Sequence, residues 1–278
     1  MNAFSSWIPT DHGRGRLERS LVAGLLLICA VGCGGENAPS STAGTPSSTA
    51  VTTGTTSPTS GSTALTALQP FFAAAQRMDG QLAAAGARIN GTVGPSTITM
   101  DPTIIDAVMT IDDRALAQRV PGGLDDDLLR AVLTVYDDLS VRRASLGGYG
   151  HFFGKATRDS REGQDLLRCL SYGADPAAHF ADDLARAKTL ASARSVTVAT
   201  PGSRASAEVA VRLAWLRLGN VGCGACGAPV HRPVALSRIR WHNTPAPVGP
   251  PYNGDIDGTL FRATYQSSTG WDVAFNVC

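Results

Sequence analysis

Residues 124–146, with the sequence LDDDLLRAVLTVYDDLSVRRASL, are the stretch that decides the fold. Apolar residues recur along it at intervals of three and four, which is the spacing of one buried face of an α-helix. Three aspartates precede this face and two arginines follow it, so the charges match the helix dipole at both ends. Gly147 is placed to cap the C terminus of the helix. The predicted core face contains Leu128, Val132, Val135 and Leu139.

The same periodicity continues on both sides of this helix. On the N-terminal side it predicts one helix over residues 65–89 and a second over residues 101–120, where Asp101 and Pro102 form a typical helix start. On the C-terminal side, Asp159 and Glu162 have the spacing of a capping box, and Asp175 and Pro176 are predicted to start a further helix with its own apolar stripe. Together these segments predict a helical bundle domain over residues 65–194.

The pattern changes near residue 195. Residues 195–200 have an alternating pattern rich in β-branched side chains, which predicts a short strand or an extended linker. Residues 208–218 fit both a helix and a strand, and we favour a helix because alanine and arginine are frequent there. Three further strands are predicted, the last two joined as a hairpin, over residues 233–242, 259–266 and 271–277. The expected fold class is therefore α+β, with a small α+β module over residues 195–278 that contains a short antiparallel sheet.

The N terminus has the pattern of an export signal. Three arginines precede an apolar run over residues 21–31, and small residues then lead to Cys33. The run is shorter than the roughly 20 residues that a membrane-spanning helix needs. The stretch Ala30-Val31-Gly32-Cys33 resembles the lipobox of bacterial lipoproteins, and the preference for arginine over lysine is typical of GC-rich, actinobacterial coding. The resemblance implies that residues 1–32 are a signal peptide and that Cys33 is lipid-acylated, which would anchor the chain to the extracytoplasmic side of the cell membrane.

Residues 33–64 are rich in serine, threonine and proline and contain no aromatic residue. Such a segment buries too little apolar surface to offset the entropy of ordering, so it is predicted to be a disordered tether. The whole chain has 24 basic and 23 acidic residues, and loss of the signal peptide removes three basic and two acidic ones. The mature chain is then formally neutral, which argues against a nucleic-acid partner.

The chain has six cysteines. After cleavage removes Cys29, and with Cys33 acylated, four remain, and an even number in an exported protein predicts disulfide bonds. The four are Cys169, Cys223, Cys226 and Cys278. Because three of them lie in the C-terminal module and one in the helical domain, complete pairing would staple the two together.

Residues 223–226 also have the CxxC spacing of redox and zinc sites. A redox pair needs a thiolate at a helix N terminus, whereas these cysteines follow a predicted helix. The spacing to His231 and His242 does not match a zinc finger. A structural disulfide is therefore the interpretation that we favour, with no metal and no cofactor.

Residues 147–155, GGYGHFFGK, combine glycines with aromatic and basic side chains. Glycines let a backbone approach a ligand closely, so Tyr149, His151 and Lys155 are candidate ligand-binding residues. A plain interhelical connection whose Phe152 and Phe153 fill the core explains the same pattern.

Residues 253–258, NGDIDG, match the first half of a calcium-binding loop. The twelfth position of that loop is Thr264 rather than a bidentate glutamate, so a polar turn leading into the next strand is the preferred interpretation.

No catalytic residues are predicted, because the sequence contains no GxSxG, SxxK or HExxH motif. We therefore expect a non-catalytic envelope lipoprotein that binds another envelope protein or a small ligand. The alternative is an exported hydrolase. Its catalytic residues would come from His151, Lys155, Asp159, His231 or His242.

Overall fold

The computed structural model describes residues 62–99, 101–148, 155–221, 233–242 and 249–276. Helices in this part of the chain are α1 (Ala64–Asn90), α2 (Pro102–Met109), α3 (Asp113–Ala117), α4 (Asp126–Gly148), α5 (Arg161–Tyr172), α6 (Ala174–Ser192) and α7 (Arg204–Val221). Strands are β1 (Ser62–Thr63), β2 (Thr97–Thr99), β3 (Lys155–Thr157), β4 (Ser195–Val196), β5 (Ile239–Trp241), β6 (Tyr252–Ile256), β7 (Thr259–Gln266) and β8 (Gly270–Phe275). The fold class is α+β, as predicted.

Helix α4 lies at the centre of a helical bundle. It contacts α1, α2, α3, α5, α6 and α7, and its predicted core face is fully buried. Its N terminus is capped by Asp125, whose carboxylate accepts hydrogen bonds from the backbone N–H groups of Asp127 and Leu128, both at 3.1 Å. Because neighbours surround α4, even polar residues along it are buried, among them Thr134 and Asp138.

Four predicted helix boundaries are wrong. Gly147 does not cap α4 but lies within it, because the helix continues to Gly148. Residues 101–120 form two helices rather than one, because Asp112 caps a new helix through the N–H groups of Arg114 and Ala115 at 2.9 and 3.0 Å. The side chain that caps α5 belongs to Ser160, which accepts from the Gly163 N–H at 3.1 Å, and not to Asp159. Helix α6 begins one residue before Asp175 and has no side-chain cap.

Four strands form an antiparallel sheet in the order β5-β6-β7-β8. The predicted hairpin of β7 and β8 is confirmed, with Phe261 opposite Phe275 and Gln266 opposite Gly270. Strand β6 was not predicted, and only residues 239–241 of the predicted 233–242 strand pair in this sheet. Residues 208–218 lie in a helix, α7, which settles the ambiguity of their sequence pattern.

Helix α7 joins the bundle to the sheet. It packs on α4 and also on β6, β7 and β8. None of the helices among the described residues is long and apolar enough to cross a membrane.

Two short strand pairs complete the described structure. Strand β1 pairs with β4 through Ser62 and Val196, which ties the start of α1 to the end of α6. The predicted tether over residues 33–64 is therefore wrong at its end, because residues 62–64 belong to β1 and the start of α1. Of the alternating residues 195–200, only the first two therefore pair as a strand. Strand β2 pairs with β3, and Thr99 lies opposite Lys155; this pair was not predicted.

Candidate functional site

Most of the residues singled out from the sequence lie outside the described part of the chain. They are Cys33, Tyr149, His151, Cys223, Cys226, His231 and Cys278. Lys155 is described: it is the first residue of β3, and its side chain is exposed. The prediction that residues 147–155 border a ligand site therefore stays a prediction.

Cys169 is the one cysteine among the described residues. It lies on α5 and is 4% exposed. It is disulfide-bonded, and its partner is not among the described residues. No complete disulfide pair can therefore be assigned in this part of the chain.

A cleft of about 640 Å³ lies where the bundle meets the sheet. Its walls come from α3 and the turn after it, from residues 198–201, from α7 and from the β7–β8 hairpin, and Tyr136 of α4 also lines it. This volume is within the range of roughly 300–1,000 Å³ that small-molecule sites occupy. The cleft was not predicted from the sequence.

One wall of the cleft depends on two adjacent glycines. The carbonyl of Gly122 accepts a hydrogen bond from the Ala199 N–H at 3.0 Å. A Cβ atom on Gly122 would lie 2.8 Å from the backbone of Ser206, and Gly123 has a φ of +90° and would direct a Cβ atom into the Thr197 carbonyl. Only glycine fits these two positions without strain, so the wall is fixed by backbone packing.

The β7–β8 hairpin forms another part of the lining and is tied to the helices by two side-chain hydrogen bonds. Gln118, at the C terminus of α3, donates from Nε2 to the Thr269 carbonyl at 2.6 Å. Trp271 donates from Nε1 to Ser206 Oγ on α7 at 3.2 Å. These bonds hold the hairpin beside the helical wall.

Aromatic rings from the hairpin line the cleft. The centroids of Tyr265 and Trp271 are 5.2 Å apart, with the ring planes inclined at 55°. Both rings are partly exposed. Aliphatic side chains of Val198 and Val209 lie among the other lining residues. The cleft thus offers an apolar surface on which a flat molecule can stack.

The charge lining the cleft is mainly positive. Arg114 and Arg217 line it, and neither has a carboxylate within ion-pair distance among the described residues. Asp272 is the one acidic residue among the described residues that line it. An anion entering the cleft would therefore meet two available guanidinium groups.

Tyr136 lines the same cleft although its side chain is only 1% exposed. Burial and then the charge of Asp113 raise the pKa of Tyr136 well above its usual range, although the charge of Arg217 acts in the opposite direction. Its hydroxyl therefore stays protonated and can donate a hydrogen bond. We find no hydrogen-bond partner for that hydroxyl among the described residues.

A histidine and an aspartate are paired on the other face of the sheet. His242 Nε2 lies 3.1 Å from Asp255 Oδ2, and Asp255 is largely buried. The hydrogen bond with His242 and, more weakly, the charge of Arg240 lower the pKa of the Asp255 carboxyl. Among the described residues, no hydroxyl or thiol is hydrogen-bonded to His242, so the pair lacks the nucleophile of a catalytic triad there.

The residues of the calcium-like segment 253–258 have other roles. Asn253, Gly254 and Asp255 belong to β6. Asp257 and Gly258 form the turn into β7, with φ values of 48° and 86°. Asp257 Oδ1 accepts a hydrogen bond from the Arg238 N–H at 3.0 Å. The preferred interpretation of a polar turn before β7 therefore fits only the last two residues.

Helices α4 and α6 bring acidic side chains together inside the bundle. Burial and then the nearby Asp183 carboxylate raise the pKa of Asp138 to about 8, and the charge of Arg142 partly opposes them. Arg142 itself is buried and forms an ion pair with Asp79. Among the described residues, no group of three or more histidine, cysteine or acidic side chains is placed to hold a metal ion.

Comparison with known proteins gives no match at the level of a family model, a curated protein sequence or a solved structure. The functional conclusion therefore depends on the residues and geometry of this chain.

Proposed function

We propose that this protein is a lipid-anchored component of the cell envelope that binds a small ligand, without catalysis, in the cleft between the bundle and the β7–β8 hairpin. The observation that carries the binding role is the cleft itself. It combines a volume of about 640 Å³ with a stacking surface and polar groups that converge on it.

The membrane anchor is supported by the N-terminal sequence. A basic segment, a short apolar run and small residues before Cys33 are the features that direct lipoprotein processing. Detergent phase separation of the wild-type chain should place it in the detergent phase, with a lipid mass on Cys33. A Cys33→Ala variant should keep its signal peptide and carry no lipid. Wild-type protein in the aqueous phase without that lipid mass would contradict the anchor.

A Ser/Thr/Pro-rich tether would hold the folded part away from the membrane. As a flexible coil, residues 34–61 would span roughly 30 Å on average. Strand β1 begins where this segment ends and is paired with β4, so the tether would join the folded part at a fixed point.

A disulfide between the helical domain and the C-terminal module is the second structural part of the proposal. Its support is that Cys169 is disulfide-bonded and that Cys223, Cys226 and Cys278 are the thiols expected to remain in the mature chain. Each closed loop of about 50 residues or more would contribute around 4 kcal/mol in the chain-entropy estimate. Peptide mapping without reduction should find Cys169 joined to one of these three. A free Cys169 together with a Cys223–Cys226 bridge would contradict it.

The ligand-binding role is tested by filling the cleft. Ala210 of α7 lines it, so Ala210→Trp should occupy space that a ligand needs. The neutral fluorescent probe N-phenyl-1-naphthylamine should bind the wild-type mature chain and lose at least about tenfold in affinity in this variant. Ala178→Trp, on an exposed position of α6 outside the cleft lining, is the matched control and should bind the probe as wild type does. Equal binding by all three proteins would contradict the role of the cleft.

A hydrolase remains the second candidate because of the His242–Asp255 pair. A carboxylate that orients an imidazole is one part of the machinery that activates a nucleophile. Under the binding role, the mature chain should not hydrolyse a nitrophenyl ester above background. Hydrolysis that is lost in His242→Ala, in a variant that keeps its circular dichroism spectrum, would favour the hydrolase.

A further inference from the structure

We infer that the cleft selects an anionic amphipathic ligand, with its carboxylate, sulfonate or phosphate end held by Arg217 and Arg114 and its flat apolar body placed against Trp271 and Tyr265. This inference rests on the proposed binding role and adds the chemical class of the ligand.

The first support is the contrast between arginines of this chain. Arg212, on the same helix as Arg217, donates from Nη2 to Glu208 Oε1 at 2.8 Å. Arg194 lies 2.6 Å from an Asp125 carboxylate oxygen. Arg217 is half-buried, yet no carboxylate lies within ion-pair distance of it among the described residues. A half-buried guanidinium loses part of its hydration, so an anion that replaces the lost water would be bound favourably.

The second support is the donor set around Arg217. The hydroxyl of Tyr136 is a further donor beside the cleft, and its partner is not found among the described residues. Arginine supplies only donors, and a protonated phenol can also donate. Such a set suits an oxygen-rich anion, which accepts several hydrogen bonds, and it disfavours a cationic ligand. Asp272 is the one carboxylate among the described lining residues, and it is exposed. The buried Asp113, whose charge acts on Tyr136, is not part of that lining, where the two guanidinium groups outnumber the carboxylate.

The third support is the position of the aromatic pair. The indole N–H of Trp271 is already bonded to Ser206, so the indole can offer a ligand its ring surface but no hydrogen bond. Tyr265 is 5.2 Å from it. The cleft therefore offers both an apolar aromatic surface and guanidinium groups, which together are complementary to an amphipathic molecule.

Two fluorescent probes separate charge from apolar binding. Anilinonaphthalene sulfonate carries the anion and the aromatic rings, whereas N-phenyl-1-naphthylamine carries the rings without the charge. In the mature chain, Arg217→Gln should weaken sulfonate binding at least about tenfold, the loss expected for a charge-assisted hydrogen bond, and change binding of the neutral probe less than about twofold. Arg114→Gln, on an exposed position of α3, should act in the same direction with a smaller effect.

Arg262→Gln is the matched control, because Arg262 is exposed on β7 and lies outside the cleft lining. It should leave both affinities unchanged. Sulfonate affinity that is the same in wild type, Arg217→Gln and Arg114→Gln would overturn the anionic class, while loss of neutral-probe binding in Ala210→Trp would still support the binding role. A cleft that binds neither probe would overturn both.

Discussion

The bundle and the sheet are built on different kinds of core. The bundle encloses α4 in a large, mainly aliphatic cluster, in which residues such as Leu68, Val132 and Leu139 have no exposed surface. The sheet has a small buried cluster formed by Val211, Ile256, Phe261 and Ala263. Half-exposed residues cover it, including Trp215, Trp241, Trp271 and Phe275. The comparison indicates that the bundle contributes most of the stability of the fold. Binding surface is available where the sheet, with its partly exposed aromatic side chains, meets the bundle.

Contacts between aromatic rings stabilise the small core of the sheet. Trp241 meets Phe261 edge to face at a centroid distance of 5.4 Å, and the guanidinium carbon of Arg204 lies 4.9 Å from the centre of the same indole ring. Trp215 of α7 lies 5.4 Å from Phe275. Such contacts add to area burial, but part of the outer face of the sheet remains exposed to solvent. Leu260 on that face is 47% exposed.

One substitution made in each region compares the two cores directly. Phe72 of α1 has no exposed surface, whereas Phe275 of β8 is partly exposed. Phe72→Ala should lower the free energy of unfolding by about 3–5 kcal/mol, and Phe275→Ala by less than half of that, because less surface leaves water on folding. Urea denaturation followed by circular dichroism measures both. Equal losses would contradict the proposed division of stability.

The boundary between the regions is tested by two glycines with nearly the same backbone conformation. Gly123 has a φ of +90° and is packed against Thr197, whereas Gly258 has a φ of +86° and a Cβ atom there would meet no other atom within 4 Å. Alanine at Gly258 should cost roughly 1–2 kcal/mol from left-handed strain. Alanine at Gly123 should cost more and weaken binding of the neutral probe, because the cleft wall must shift. The same small loss at both positions would argue against a tightly packed wall.

The two regions should respond oppositely to pH. The pKa of Asp138 in the bundle is raised to about 8, so between pH 4 and 8 the folded state holds a proton that the unfolded state has released. Stability should therefore fall as pH rises through this window, by at most about 1.4 kcal/mol per pH unit. Asp138→Asn should flatten this slope in urea midpoints measured from pH 4 to 8. An unchanged slope would contradict the assignment to Asp138.

The sheet should lose stability in the acid range instead. The pKa of Asp255 is lowered by its hydrogen bond with His242, so its contribution is present above the unfolded pKa and is lost as pH falls through the folded pKa. Asp255→Asn should reduce the loss of stability below about pH 4 and leave the slope between pH 4 and 8 unchanged.

The smallest expected effect concerns the bond from Gln118 to the hairpin. Gln118→Ala removes a donor to the Thr269 carbonyl and should cost about 0.5–1.5 kcal/mol. Because this bond ties the hairpin to α3, amide exchange at residues 267–269 should become faster while exchange in α4 stays the same. Equal acceleration in both places would indicate a global rather than a local effect.

The bundle was largely predictable because its stripes are long and periodic. The predicted core faces of α1 and α4 are buried as expected, including Phe72 and Leu139. Helix ends were less predictable, because Ser160 and Asp159 are both good caps and only the tertiary structure selects between them.

Strand β6 and the cleft were not predictable for different reasons. Strand β6 contains Asn253, Gly254 and Asp255, which are typical of turns, but Gly254 fits against Phe261 and the Arg240 carbonyl, where a Cβ has no room. The cleft brings Arg114 together with Arg217 and Trp271, which are far apart in the sequence. The one available signal in the sequence was Arg217 within the apolar pattern of α7. That pattern does not show which groups surround the arginine side chain.

The most direct test of the cleft as an anion-selective binding site is a crystal structure of the mature chain with anilinonaphthalene sulfonate. The expected result is the sulfonate within hydrogen-bond distance of Arg217 and the naphthalene ring against Trp271. A probe bound elsewhere on the protein, with the cleft between α7 and the β7–β8 hairpin left to water, would contradict it.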